Sequence, residues 1–393
     1  MVWSSQGRQR NGCERRAQTL PIPARLRAYF VNARSLKLIR TSPLFDQAWY
    51  LASYPEVAAT GIDPALHYLI RGAAEHRDPG PTFDSAWYLQ YYCDVARAGI
   101  NPLVHYIRYG AKEGRHRSAS EIIAAEVTDA AIECRKNPPA SGEIALFVTH
   151  SSDGRLKAHA RYYLEALCRH GISPVLIVAA DGEFSELDNE VLARLGGFYL
   201  RQNVGYDFAA WAHVLRIAPQ LWRADILYLI NDSTIGPLSE QKFEKLLQRL
   251  RASKSDIVGL TDSHEQTWHI QSYFLALKRG ALLSEALREF IGGIKSLSVK
   301  RDVINTYELR FASTLRRAGL SCDVLFPTNK VYNPSLVDWH CLVAAGLPFI
   351  KLAAIRDGSR KSRAVDWQRV LQSEGFDLRL AEQALSDADA SLI

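Results

Sequence analysis

Arg201-Gln-Asn-Val-Gly-Tyr-Asp-Phe-Ala-Ala-Trp211, then Ile226-Leu-Tyr-Leu-Ile230, then Asn231-Asp232-Ser233: these three stretches decide the fold. Five consecutive apolar residues need burial on both faces, and a central strand of a parallel sheet provides it. The polar triplet then falls where that strand leaves the sheet. Open α/β sheets bind ligands outside the carboxyl ends of their strands, so residues 231–233 are the first candidates for a site.

The same alternation continues on both sides. Ile144 to Thr149, Pro174 to Ala180, Phe198 to Leu200, Ile257 to Leu260 and Tyr273 to Leu277 read as further strands. Between them Leu156 to Arg169, Glu190 to Leu195, Phe208 to Ile217 and Gln241 to Ala252 read as helices. Strands alternating with helices predict a largely parallel, Rossmann-type sheet in one α/β domain spanning 143–356. Just past the strands lie His150, Ser151 and Asp153, then Asp181, then Asn203 to Asp207, then Asn231 to Ser233, then Thr261-Asp262-Ser263. Polar ends gathered on one edge form a cleft rich in acceptors, suited to a ribose, a base edge and a metal-bound diphosphate.

Each of these residues also has a plainer use. Asp207 can be the N-cap of the helix that follows, and Asp153-Gly154 can be a turn. Asn231 to Ser233, followed by Gly236-Pro237, can be an ordinary loop, so their shared place at strand ends carries the weight. With no Walker-type loop and no G-x-G-x-x-G after a strand, triphosphatases and Rossmann dehydrogenases are disfavoured.

Upstream, residues 44–117 hold a repeat of period 38. Phe45-Asp46-Gln-Ala-Trp49-Tyr50-Leu51 returns as Phe83-Asp84-Ser-Ala-Trp87-Tyr88-Leu89, and Pro64, His67, Tyr68 and Gly72 return as Pro102, His105, Tyr106 and Gly110. Each copy reads as a helical hairpin, its first helix ended by Gly61 or Gly99 and its second opened by Pro64 or Pro102. The His-Tyr pairs either pack internally with satisfied polar tips or present an aromatic surface to a glycan or partner. Glu121 to Arg135 reads as a helix, and Asn137-Pro-Pro-Ala-Ser-Gly142 as a linker.

The 393 residues carry a net charge of +6 and are 47% apolar, ordinary values for a globular protein of two or three domains. The charge is concentrated: residues 1–40 hold nine Arg or Lys against the single acid Glu14. They read as a disordered basic arm, able to meet an anionic membrane. Nucleic acid is disfavoured, because only Tyr29 and Phe30 interleave that charge. No apolar run approaches the roughly 18 residues of a spanning helix, and no secretory segment follows Met1. Six cysteines without CxxC spacing argue against a zinc site or disulfide framework and for a reducing cytosol.

From about Glu143 to Ile355 the chain resembles the rhamnan synthesis protein F family, bacterial proteins that assemble rhamnose-containing surface polysaccharides and look like glycosyltransferases of the A fold. The resemblance rests on Asn203-Val-Gly205-Tyr-Asp207-Phe208, on Tyr228-Leu-Ile-Asn231-Asp232-Ser233 with Gly236-Pro237, and on Thr261-Asp262-Ser263. Downstream it rests on His269-Ile-Gln271-Ser272-Tyr273-Phe274, Tyr307-Glu308 and Pro348-Phe349-Ile350-Lys351. The 38-residue repeat is similar to a module found beside bacterial glycosyltransferase domains.

The resemblance implies a glycosyltransferase that takes a nucleotide sugar, with dTDP-L-rhamnose as the family's donor, and extends a lipid-linked or polysaccharide acceptor of the lipopolysaccharide kind. It would work in the cytoplasm at the inner face of the plasma membrane, beside other polysaccharide-assembly proteins. His150, Asp153, Arg201, Asn203, Gly205, Asp207, Asn231, Asp232, Ser233 and Lys351 would bind the donor. His269, Gln271 and Tyr273 would contact sugar or acceptor. Glu308, at the start of a helix predicted over Glu308 to Ala318, is the first candidate for the base, and Asp262 the second. Where A-fold transferases carry Asp-x-Asp, this chain has Asn231-Asp232-Ser233, with one carboxylate. Two arrangements stand open: Mg²⁺ or Mn²⁺ held by Asp232 and substrate oxygens, or cations such as Lys351 and Arg201 stabilising the leaving diphosphate. The alternative class is a non-catalytic glycan- or nucleotide-sugar-binding scaffold. Residues 357–393 read as a helical extension (Ala364 to Ser373, Leu380 to Leu385) that caps the domain or touches a membrane.

Overall fold

A computed structural model describes residues 24–124, 130–185, 187–265, 267–330, 332–356 and 365–390. The chain divides into two compact units, residues 1–118 and 119–393.

In the first unit, residues 24–41 form a helix with Ile39 fully buried. Arg40 pairs with Asp63 at 3.0 Å, and Arg108 donates to the Ser35 hydroxyl at 3.2 Å. The disordered arm expected over 1–40 is therefore corrected from Ala24 onward, because packing of Ile39 and Ser35 outweighs the helix's high charge; residues 1–23 lie outside the described residues.

The repeat is helical as expected, with its first arm split in two: Gln47–Ser53 and Pro55–Thr60, then Ser85–Tyr91 and Cys93–Arg97. Asp46 and Asp84 cap these arms through the Trp49 and Trp87 amides, and Gly61 and Gly99 take positive φ. Pro64 and Pro102 open the second helices, which pass into π-turns at Tyr68–Gly72 and Tyr106–Gly110. His67 and His105 are buried, each with Nδ1 at 3.0 Å from a tyrosine hydroxyl, that of Tyr50 or Tyr88. A Cβ on Gly72 or Gly110 would collide with those same hydroxyls, which is why glycine recurs there. Tyr68 bonds to Ser85 at 2.9 Å, so the copies dock on each other; His67, Tyr68 and His105 form core, while Tyr106 is half-buried.

The second unit is built on strands β1 (Ile132–Lys136), β2 (Glu143–Ser151), β3 (Ser173–Ala180), β4 (Gly197–Gln202), β5 (Ile226–Asn231), β6 (Thr234–Ile235), β7 (Ile257–Ser263), β8 (His269–Ile270), β9 (Phe274–Lys278), β10 (Cys322–Phe326) and β11 (Ile350–Lys351). Among the described residues the main sheet runs β1-β4-β3-β2-β5-β9-β7-β10, with β8 hairpinned onto β7. Its centre, β4-β3-β2-β5, is parallel; β9 lies antiparallel between β5 and β7. The fold is α/β, a largely parallel glycosyltransferase-like sheet with helices on its faces. Chain order reverses between β2 and β5, so the switch point of the sheet lies at the carboxyl ends of those two strands.

Two expectations are corrected here. Ile132 to Lys136 is not the end of a helix: it pairs antiparallel with the edge of β4, where backbone ladder bonds outweigh local helix preference. The domain is also wider than 143–356, because β1 joins its sheet and the C-terminal helices Trp367–Ser373 and Leu378–Ala390 enter its core. Leu371, Phe376, Ala381 and Ala384 pack with Ile235, Trp339, Ile350 and Ile355, so this extension caps the domain.

Candidate active site

The carboxyl end of β5 opens into a cavity of about 510 Å³. Three local devices shape it. Gly205, at φ +79°, precedes the helix Tyr206–Ile217, and a Cβ there would fall 2.6 Å from the Ser296 Cα. That turn points Asp207, in the helix's first turn, into the cavity. The β7–β8 hairpin carries His269 and Gln271 back over the strand end, where the Gln271 amide bonds the Thr261 carbonyl at 3.0 Å. Finally β11 pairs antiparallel with β6, setting Lys351 opposite Thr234, and the Leu352 amide reaches the Ser233 carbonyl at 2.9 Å. A four-residue ladder thus carries a lysine from far down the chain to the Asn-Asp-Ser turn.

That turn holds two carboxylates in different ways. Asp232 Oδ2 accepts from the Thr149 hydroxyl at 2.6 Å and from Lys157 Nζ at 2.9 Å. His159, buried, lies with Nε2 3.2 Å from the Asp232 carbonyl, so Nε2 carries the proton and donates. Burial opposes the Asp232 charge, yet Lys157, His159 and Thr149 outweigh it and hold the carboxyl below the usual range. Asn231 is turned the other way: its amide donates to Asp207 Oδ2 at 2.6 Å, while its Oδ1 accepts from the Ser233 amide and hydroxyl. Burial, and then the Asp232 charge, push the Asp207 carboxyl up to about 6.

Across the cavity stand Glu265, Lys300, Glu308 and Lys351. Glu308 ends a π-turn, Ile304–Glu308, and its Oε1 accepts the Ser272 amide at 3.0 Å. The helix expected from Glu308 begins one residue later, at Leu309. Lys351 lies 5.0 Å from the centre of the Tyr273 ring, and burial pushes its ammonium below the ordinary lysine range. His269 donates Nδ1–H to the Thr267 carbonyl at 2.9 Å, which leaves Nε2 an acceptor.

The cavity therefore brings together Asp207, Asn231, Asp232, Ser233, His269, Gln271, Tyr273, Glu308 and Lys351. Two of these serve as support: Gln271 is held between the Thr261 hydroxyl and Asn333 Oδ1, and the Tyr273 hydroxyl meets Thr261 at 2.9 Å. Asp207 does not cap its helix, the plainer use open to it, since Gly205 occupies that position.

The other expected residues stand apart from the cavity lining. Asp262 is buried and its carboxylate accepts from Trp268 Nε1 at 3.0 Å and from the Thr328 amide and hydroxyl, each at 2.8 Å. It anchors a loop, and the expectation of a second base there is corrected. Arg201 is also buried, donating to the Gln202 and Val204 carbonyls and to Ser296, so it offers no cation to a leaving group. His150 and Asn203 both bond Asp181, at 2.7 and 2.8 Å, along the β2–β3–β4 edge. Asp153 accepts the Arg155 amide in a turn where Gly154 has φ +76°.

Sequence reasoning missed Thr149, Lys157, His159, Glu265, Lys300 and Asn333. Thr149 was the last residue of a strand and Lys157 the residue before a helix, with no motif around either. Polar residues at the end of the neighbouring strand were the one signal available.

Residues 176–390, more than half of the chain, match the family model of rhamnan synthesis protein F. The chain belongs to this family. Comparison with curated proteins gives no match. For a member of the rhamnan synthesis protein F family, a part in polysaccharide synthesis is the role the match supports. The matched segment covers the whole cavity lining, while Thr149, Lys157 and His159, which hold Asp232, precede it.

The donor set does not suit a resident divalent cation. Among the described residues no three His, Cys, Asp or Glu side chains are grouped to hold a metal ion, and the Asp232 carboxylate already carries the Lys157 ammonium. Nor, among the described residues, is any helix long and apolar enough to cross a membrane.

Proposed function

We propose that the protein is a glycosyltransferase that moves a sugar from a nucleotide-activated donor, dTDP-L-rhamnose by the family's name, to a growing cell-surface polysaccharide. The observation that carries this reading is one cavity at the switch-point end of the sheet holding both Lys300 and Lys351 and a backbone-oriented carboxylate, Glu308. A cavity of about 510 Å³ lies in the range of ligand sites.

The chemistry is displacement at an anomeric carbon. The acceptor hydroxyl attacks, and Glu308 takes its proton through Oε2, the oxygen that the Ser272 amide does not engage. Negative charge grows on the departing diphosphate, and Lys351 and Lys300 meet it. His269 Nε2 accepts from a sugar hydroxyl. Asp207 and Asn231, tied together, fix the donor side of the turn. The acceptor is lipid-linked, and the protein works at the inner face of the membrane.

Calorimetric titration with a panel of nucleotide sugars, followed by turnover with a glycan acceptor, tests this. Saturable binding of one donor with transfer abolished in Glu308→Gln supports it. Glycan binding without turnover of any donor would favour a scaffold instead.

A further inference from the structure

Lys157 lies in the residue stretch between β2 and the helix Ala158–Arg169, outside every motif of the sequence, yet its ammonium sits 2.9 Å from Asp232 Oδ2. The pair is largely enclosed, each side chain being 16% exposed. Thr149 donates to the same oxygen, and His159 Nε2 donates to the Asp232 carbonyl at 3.2 Å. A carboxylate whose charge is already cancelled by an enclosed ammonium has little left to offer a divalent cation. Bringing such a cation to the free oxygen sets two positive charges about one carboxyl group. The neighbouring Asn231 contributes an amide engaged with Asp207 and Ser233.

Among the described residues the lysines that line the cavity are Lys300 and Lys351, whereas Lys157 stands behind Asp232, outside the lining. Lys351 is anchored beside the Asn-Asp-Ser turn by the β6–β11 ladder and rests on the Tyr273 ring. Glu265 and Glu308 also line the cavity, so positive charge is local to the lysines rather than spread over the site.

We infer that Lys157, bonded to Asp232 from outside the cavity lining, supplies the positive charge that a divalent cation would bring to that carboxylate, so that the donor diphosphate binds on Lys351 and Lys300 without a metal ion. This rests on the cavity being a nucleotide-sugar site. It makes Lys157 a positioning residue, holding Asp232 rather than touching substrate.

The full-length protein is titrated calorimetrically with dTDP, UDP and GDP, in excess EDTA and again in excess Mn²⁺. For the diphosphate that binds, affinity is expected to differ by less than about threefold between the two conditions. Binding that appears only with Mn²⁺ overturns the inference and leaves the transferase reading standing. No binding of any diphosphate under either condition overturns both. Lys157→Met, checked for folding by thermal denaturation, is expected to gain at least about a tenfold dependence on Mn²⁺, while Lys157→Arg stays insensitive. A folded Lys157→Met that remains indifferent to Mn²⁺ would remove Lys157 from the explanation and overturn the inference.

Discussion

Replacing Asp207 by Asn removes a carboxylate that the folded protein holds at a cost. Its folded pKa is raised from 3.8 to about 6 by burial, then by the Asp232 charge, against the pull of Asn231 and Lys300. Between those two values the folded state keeps a proton that the unfolded chain releases. Stability from this group is therefore complete below pH 3.8 and is lost as pH rises through about 6. A shift of roughly two units corresponds to about 3 kcal/mol at neutral pH, an upper figure because the side chain is partly exposed. An Asn at this position has no charge to desolvate, and its oxygen can still accept the Asn231 amide. Urea denaturation at pH 4, 5, 6 and 7.5 checks this. Asp207→Asn should match the wild type at pH 4 and exceed it by about 2–3 kcal/mol at pH 7.5, climbing about 1.4 kcal/mol per pH unit up to about pH 6 and levelling off above it. A constant difference across that range, or a less stable variant at pH 7.5, would refute the electrostatic reasoning. Under the proposed function, transfer activity should fall in the same variant, since the charge is held in the cavity lining.

Asp232→Ala should destabilise the protein by about 3 kcal/mol, because it strands the enclosed Lys157 ammonium; Asp232→Asn with Lys157→Met should recover most of that loss in urea denaturation. Glu308→Gln should lower kcat by about 10²- to 10⁴-fold with donor affinity within a factor of about two, measured by steady-state kinetics and calorimetry. Gly205→Ala should cost about 2 kcal/mol or more by thermal unfolding, while Gly171→Ala, at a similar φ but with open space around it, should cost only about 1 kcal/mol. Equal losses at the two glycines would mean that the Ser296 contact carries no energy.

The central strands were readable because burial on both faces forces unbroken apolar runs: β2, β3 and β5 lie at the middle of the sheet. β1 was not, since an edge strand needs no such run and Ile132-Glu-Cys-Arg-Lys136 is mostly exposed. β10, five residues with Asp323 exposed, gave too short a pattern. In the site, polar strand ends located Asn231 and Asp232 but also Asp262, which serves its own loop. Sequence position says where an acceptor lies, not whether a neighbour such as Trp268 or Thr328 has already filled it. Lys157 stayed hidden for the converse reason: its partner is 75 residues away and the pair exists only once β2 and β5 lie side by side.

The ladder between β6 and β11 has a consequence for biosynthesis. During translation the acidic turn after β5 leaves the ribosome more than a hundred residues before Lys351. Until then the nascent sheet presents the Asn-Asp-Ser turn without Lys351 beside it. The intervening residues 240–347 must fold as an excursion whose two ends are fastened together only when β11 arrives. The cavity lining is thus completed late, when β11 brings Lys351 to the turn.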